Sequence, residues 1–140
     1  MIDRLGIAAM DDNKLALAAL ERWVSAAGAF RWLGGVSTPE ELVRLISREP
    51  PALVLLDIDM PGVDTFALLT QLIEHSPSLK VVMFSGFVRA DYVERALSAG
   101  ASGYVIKDEP MSATVDLLRR AAEGECVLSD AAAAAFMQGA

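Results

Sequence analysis

Short apolar runs alternate with amphipathic stretches along the chain. Five apolar runs predict strands, at residues 5–10, 30–36, 53–56, 80–84 and 103–106. The third run, Leu53-Val54-Leu55-Leu56, contains no polar position. An uninterrupted apolar run is typical of a strand covered on both faces, as in a parallel sheet between two layers of helices. The pattern therefore predicts a parallel sheet at the centre of the molecule.

Between these runs, apolar residues recur at helical spacing. The first such stretch ends at Gly28, and the second opens with Thr38-Pro39-Glu40-Glu41, whose hydroxyl, proline and acids suit a helix N-terminus. A third stretch ends before Pro77, a fourth ends at Gly100, and a fifth includes Leu118. Strands that alternate with helices imply right-handed crossovers. We therefore predict an α/β fold with a doubly wound, five-stranded parallel sheet, in the order 2-1-3-4-5, and five flanking helices.

The C-terminal residues differ from the rest of the chain. Gly124 and Glu125 interrupt the fifth helix, Ser129 is a candidate N-cap, and residues 130–137 are rich in alanine. We predict one domain over residues 1–123. Residues 124–140 then form a C-terminal extension, or the start of a linker, with a short helix from residue 129.

Composition narrows the class of protein. With 140 residues, of which 54% are hydrophobic, the chain can bury the core of a single domain. A net charge of −7 argues against direct binding to nucleic acid, whose phosphates it would repel. We expect no membrane insertion, because no apolar stretch is long enough to span a bilayer. The single cysteine, Cys126, fits a reducing compartment, and we expect a cytoplasmic protein.

Polar residues follow four of the predicted strands. Asp11 and Asp12 follow the first, Asp57 the third, Ser85 the fourth and Lys107 the fifth. Each has an ordinary explanation by itself, as a helix cap, a turn former or a solvated charge. Because the carboxyl ends of neighbouring parallel strands meet at one edge of the sheet, these side chains are expected to share a pocket.

The grouping of residue types suggests phosphoryl chemistry. Clustered carboxylates repel one another, and two unit charges ~4 Å apart cost roughly 4 kcal/mol at an effective dielectric constant near 20. A hard divalent cation such as Mg²⁺ would relieve that repulsion. Asp57 could then attack phosphorus and form an acyl phosphate, while Lys107 and Ser85 hold the phosphoryl oxygens.

At these positions the chain closely resembles the receiver domain of bacterial two-component response regulators. The resemblance covers about residues 1–123, and its motifs come in the order and at the spacing of that family. They are Asp11-Asp12, then Leu-Leu-Asp57-Ile-Asp59-Met-Pro-Gly, then Ser85-Gly86, and Gly-Tyr104-Val-Ile-Lys107. The resemblance implies a flavodoxin-like fold with Asp57 as the phosphoacceptor.

The resemblance also implies a cofactor, a kinase and a switch. Asp57 would accept a phosphoryl group from a sensor histidine kinase. Mg²⁺ would be bound by Asp12, by Asp57 and by the backbone carbonyl of Asp59, with Asp11 acting largely through water. Ser85 would turn toward the phosphoryl group while the ring of Tyr104 moves inward. Taken by itself, Tyr104 would be a half-buried strand aromatic.

Such a switch would change the surface of the fourth helix, fifth strand and fifth helix. That surface could then receive a partner or a second copy of the chain, so a homodimer is expected on phosphorylation. The resemblance implies a phosphoacceptor signalling domain rather than an enzyme, with self-catalysed phosphorylation and dephosphorylation.

The segments around residues 103–110 and 117–130 are similar to regulators of the nitrate-regulator type, which carry a C-terminal helix-turn-helix domain. We therefore expect the output to be transcription, through a DNA-binding domain absent from this chain. Some residues depart from the family pattern. Asp108 follows Lys107 where many receivers have proline, and Phe87 places a bulky group near the mouth of the pocket.

Two alternatives remain open at this point. Asp57-Ile-Asp59 also resembles the Asp-x-Asp motif of haloacid-dehalogenase-type phosphatases, although in those enzymes the motif ends the first strand and the acidic pair comes later. A degenerate receiver could instead act only as a protein-binding module. The full set of acids, hydroxyl and lysine argues against that second alternative.

Overall fold

A computed structural model describes residues 4–139 and contains a single parallel sheet of six strands. The strands are β1 (Leu5–Met10), β2 (Phe30–Val36), β3 (Leu53–Leu56), β4 (Lys80–Ser85), β5 (Gly103–Ile106) and β6 (Val127–Leu128). Their spatial order is β2-β1-β3-β4-β5-β6. The predicted strands and their order 2-1-3-4-5 are confirmed, and the chain adds a sixth strand beside β5.

Six helices surround this sheet. They are α1 (Lys14–Ala27), α2 (Pro39–Arg48), α3 (Thr65–His75), α4 (Ala90–Ser98), α5 (Met111–Ala122) and α6 (Asp130–Gln138). Two apolar clusters fill the space between sheet and helices. One joins β3 to α1 and α5, and the other joins β3 to α2, α3 and α4. Among the described residues, no helix has the length and hydropathy of a membrane-spanning segment.

The central strand β3 shows why this arrangement follows from the sequence. Leu53 and Leu55 belong to one cluster, while Val54 and Leu56 belong to the other. All four side chains are at most 1% exposed. Since successive side chains of a strand point to opposite faces, an all-apolar run can be buried only between two helical layers.

Local signals set the helix ends as predicted. The Thr38 hydroxyl accepts a hydrogen bond from the amide of Glu41 and caps α2. Helix α1 ends at Gly28, whose φ of 74° favours a residue without a side chain. At its other end, the side chain of Asn13 caps α1 by accepting from the amides of Leu15 and Ala16. Asp12 is therefore not the cap of this helix.

The C-terminal extension packs onto the domain. Strand β6 pairs with β5, with Gly103 opposite Val127, and α6 contacts α4. A β-carbon at position 103 would lie 2.3 Å from the carbonyl oxygen of Val127, so the close approach of the two strands requires glycine there. The pattern of apolar residues missed β6 because two residues are too few to show a period. The boundary at residue 123 stays a prediction.

The prediction that Ser129 stands at the N-cap of the last helix is confirmed, but its hydroxyl has another role. Ser129 occupies the N-cap position of α6 but makes no side-chain cap hydrogen bond. Its hydroxyl instead accepts a 3.1 Å hydrogen bond from the amide of Ile106, at the end of β5. A buried amide at a strand end needs an acceptor, and the serine supplies it.

Candidate functional site

Neighbouring strands bring the predicted site residues to one edge of the sheet. Met10 pairs with Leu56 across β1 and β3, so the next residues, Asp11 and Asp57, lie side by side. Strand β4 ends at Ser85, which pairs with Ile106 of β5, and Lys107 follows directly. The structure thus brings together the strand-end residues that the sequence singled out.

Three carboxylates form the centre of the site. Each of Asp11, Asp12 and Asp57 offers one oxygen, and these oxygens lie within 4.8 Å of one another. Asp11 and Asp57 are buried, at 6% and 5% exposure, whereas Asp12 is exposed. Because Asn13 takes the capping role, the carboxylate of Asp12 is free to contribute to this cluster. Clustered carboxylate oxygens are the ligand type that hard divalent cations prefer.

Lys107 provides the positive charge within hydrogen-bonding reach of the cluster. Its Nζ lies 2.5 Å from Asp11 Oδ2 and 3.5 Å from Asp57 Oδ2. Burial raises the pKa of the Asp57 carboxyl above its ordinary value, the Lys107 ammonium opposes that rise, and Asp11 adds to it. One ammonium leaves two of the three carboxylates without a compensating charge. The site is therefore suited to accept further positive charge.

Hydrogen bonds hold Asp57 in place. Its amide donates to the carbonyl of Met10 at 3.1 Å, and its carbonyl accepts from the hydroxyl of Thr65 at 3.2 Å. Its Oδ1 accepts from the amide of Asp59 at 3.2 Å. Oδ2 is left facing Lys107. The sequence did not identify Thr65 as part of the site, because a threonine in the first turn of a helix carries no signal of such a role.

Asp59 is near the site by its backbone rather than by its side chain. The Asp59 carboxylate is exposed and lies outside the cluster of three carboxylates. Only its amide contacts Asp57 among the hydrogen bonds of residues 4–139. The metal-binding role expected for its backbone carbonyl stays a prediction.

Ser85, Phe87 and Tyr104 are joined by two hydrogen bonds. The amide of Phe87 donates to Ser85 Oγ at 3.3 Å, and the hydroxyl of Tyr104 donates to the carbonyl oxygen of Phe87 at 2.9 Å. Tyr104 is fully buried, so the half-buried ring expected from β5 alone is wrong. The reason is that α4 and the extension pack on the same face of the sheet. Burial raises the pKa of Tyr104 to about 12, which keeps its hydroxyl protonated.

Known proteins are similar to this chain in sequence. The chain is 34% identical over 122 residues to the nitrate/nitrite response regulator NarL of Escherichia coli, covering 87% of the chain and 56% of NarL. It is 26% identical to the transcriptional regulatory protein YxjL of Bacillus subtilis, covering 94% of the chain and 61% of that protein. The chain thus spans little more than half the length of these relatives.

Solved structures show the same fold. The signal receiver domain of a NarL regulator from Mycobacterium tuberculosis aligns with 89% of the chain and 100% of its own length, at TM-score 0.81 and 24% identity. A LuxR-family regulator from Aurantimonas aligns over 98% of both chains, at TM-score 0.91 and 19% identity.

The family comparison covers most of the chain, and with it all the clustered residues. Residues 7–119 match the response regulator receiver domain, the family that the motifs between Asp11 and Lys107 resemble. Together with the relationship to NarL, it shows that this chain belongs to the response regulator receiver domain family.

Proposed function

We propose that this receiver accepts a phosphoryl group on Asp57 from a phosphohistidine of a sensor histidine kinase. The observation that carries the proposal is the group of charges at Asp57 Oδ2, with the Lys107 ammonium at 3.5 Å and two further carboxylates beside it. The oxygen–phosphorus bond forms as the nitrogen–phosphorus bond of the kinase breaks. The product is an acyl phosphate on Asp57.

The surrounding residues favour such a transfer. Asp57 Oδ1 is held by the amide of Asp59, which leaves Oδ2 as the attacking oxygen. Lys107 can move from Asp11 toward the incoming phosphoryl oxygens, and Ser85 can donate its hydroxyl to them. Phosphoryl transfer depends mainly on position and charge stabilisation, which these groups provide.

We propose Mg²⁺ as the cofactor, held by Asp11, Asp12 and Asp57, with Asp11 acting largely through water and the carbonyl of Asp59 as a further ligand. Two uncompensated carboxylates and an all-oxygen donor set fit this ion. When bound, the ion supplies positive charge that offsets the carboxylates and the phosphoryl oxygens. The Lys107 ammonium opposes the rise in the pKa of Asp57 that burial causes, and the amide of Asp59 orients its carboxylate.

The proposal extends to the output of the whole protein. NarL and YxjL, of which the chain spans little more than half, are described as regulators. We propose that a DNA-binding domain outside this chain controls transcription, and that phosphorylation favours a homodimer. The receiver would act in the cytoplasm as a signalling domain rather than an enzyme, although it catalyses its own phosphorylation and dephosphorylation.

Incubation with acetyl phosphate and Mg²⁺, followed by intact-mass measurement and peptide mapping, tests the proposal. One stable phosphoryl adduct on Asp57 is expected. Asp57→Asn should show no adduct, while Asp116→Asn, which changes an exposed acid of α5, should react as the wild type does. Rapid turnover of acetyl phosphate would favour a phosphatase, and absence of an adduct would favour a binding module.

A further inference from the structure

The C-terminal extension is attached on both sides of Tyr104. The amide of Val127 donates to the carbonyl of Ser102 at 2.9 Å, and the amide of Ser129 donates to the carbonyl of Tyr104 at 3.1 Å. The hydroxyl of Ser129 accepts from the amide of Ile106 at 3.1 Å. The edge of β5 is therefore covered by the chain itself.

A second attachment begins in the loop that carries Lys107. Glu109, two residues after Lys107, accepts a hydrogen bond at Oε1 from the amide of Asp130 at 3.2 Å. It thereby caps α6 from a distance, in place of Ser129. Its other oxygen, Oε2, is buried and has no hydrogen-bond partner among the described residues. The start of α6 is thus tied to the loop beside the phosphoacceptor.

The extension also packs against the switch tyrosine. Tyr104, Ala96 of α4 and Ala132 of α6 are all fully buried in one apolar cluster, with Leu128 of β6 packed against it. Since Ala132 and Leu128 belong to the apolar surroundings of Tyr104, the extension contributes to the burial of its ring. Docking of the extension therefore stabilises the inward position of the ring.

Helix α6 itself buries few of its side chains. Ala132 is the one buried residue of α6, while Phe136 and Met137 are 39% and 75% exposed. The unpartnered Oε2 of Glu109 adds an unfavourable contribution, because a buried polar atom without a hydrogen bond costs free energy. Elements with few buried apolar contacts are those that open locally in native proteins.

We propose that docking of residues 125–139 and phosphorylation of Asp57 favour each other. The inference rests on the proposed function and on the switch that the resemblance to receiver domains implies, in which phosphorylation draws Ser85 toward the phosphoryl group and selects the inward ring of Tyr104. The docked extension selects the same ring position. Two events that favour one state must strengthen each other by the same factor, whichever occurs first. Glu109 is then a positioning residue that acts through α6.

The full chain can be tested with beryllofluoride and Mg²⁺ as the acyl-phosphate mimic. Hydrogen exchange of residues 130–139 should slow by roughly fivefold when the mimic binds, a common size for such coupling. Gly139→Ala should loosen α6 at a distance from Asp57, since a β-carbon there would lie 2.5 Å from Cβ of Ala90. That variant should bind the mimic roughly fivefold more weakly, as titrated by fluorine NMR.

Variants of Glu109 test whether its hydrogen bond to α6, rather than a general loss of stability, is responsible for the coupling. Glu109→Ala should weaken mimic binding as Gly139→Ala does, whereas Glu109→Gln keeps an acceptor oxygen and should bind nearly as the wild type. Glu74→Ala, which removes an exposed carboxylate of α3, is the matched control and should change neither exchange nor affinity. Circular dichroism verifies that each variant is folded.

The outcomes distinguish this inference from the proposed function. In one outcome, the mimic slows exchange in residues 53–62 but not in α6, and both Gly139→Ala and Glu109→Ala bind it as the wild type does. That result would contradict the coupling and leave the phosphoacceptor role intact. No response in residues 53–62 of the wild type would overturn the phosphoacceptor role, and the coupling with it.

Discussion

Tyr104 and Phe87 are joined by a 2.9 Å hydrogen bond from the tyrosine hydroxyl to the phenylalanine carbonyl. This bond links β5 to the loop after β4. In the same loop, the amide of Phe87 donates a hydrogen bond to Ser85 Oγ. The Phe87 ring lies 5.7 Å from the ring of Tyr92 in α4. A change at Ser85 can therefore reach both β5 and α4 through Phe87.

Tyr104→Phe should lower the free energy of unfolding by about 1 kcal/mol, because it leaves the carbonyl of Phe87 without its partner. Urea denaturation measures the change. Tyr92→Phe is the control, since the Tyr92 hydroxyl makes no hydrogen bond within the described part of the chain and its ring contacts are kept. Equal losses in the two variants would show that the Phe87 contact contributes nothing specific.

Asp57→Asn should abolish the acyl phosphate and also stabilise the metal-free protein at neutral pH. The substitution removes one of three clustered carboxylates, and stabilising changes of charge commonly contribute about 0.5–2 kcal/mol. Lys107 keeps its ion pair with Asp11 in the variant. A melting temperature clearly below that of the wild type would contradict the mutual repulsion of these acids.

The gain in stability of the Asp57→Asn variant over the wild type should depend on pH. Burial raises the pKa of Asp57 above its ordinary value of 3.8, so the folded state holds this proton more tightly than the unfolded chain does. The Asp57 carboxyl contributes fully to the stability of the wild type below pH 3.8, and this contribution is lost as pH rises through the folded-state pKa of Asp57. The advantage of the variant should thus be greatest at neutral pH and shrink on acidification. An advantage that is constant with pH would rule out this cause.

Mg²⁺ should stabilise the wild type by mass action, by about 2.7 kcal/mol at a concentration 100 times its dissociation constant. Asp12→Ala should remove most of this effect and Asp11→Ala part of it. Asp116→Asn is the control and should keep the full shift. Thermal melts with and without millimolar Mg²⁺ measure it, and an unchanged wild-type curve would mean that the acids do not bind the ion.

Beryllofluoride with Mg²⁺ should strengthen self-association of the chain from a monomer or weak dimer. The reason is that the mimic biases the surface around α4 and β5 through Ser85 and Tyr104. Sedimentation velocity measures the change, and Tyr104→Ala should reduce it. If the mimic binds and neither association nor exchange in α4 changes, Asp57 acts as a phosphate relay or sink without this switch.

The sequence by itself determined the first five strands of the sheet and the grouping of acids at their ends. Strand β3 is apolar throughout, and a run of that kind has only one stable environment, between two helical layers. Asp11, Asp57 and Lys107 follow neighbouring strands, so parallel topology alone brings them together. These features depend on local pattern and on a rule of topology, which the chain carries in its residue order.

Only the tertiary structure decided what surrounds Tyr104. The hydroxyl of Ser129 serves the amide of Ile106, 23 residues away, rather than its own helix. Glu109 caps that helix instead, and β6 is too short to have a period. The local sequence indicates only which hydrogen-bond partners a polar group can reach among its neighbours along the chain. The partner it obtains depends on which distant groups packing leaves buried beside it, and a buried amide at a strand edge takes the nearest acceptor.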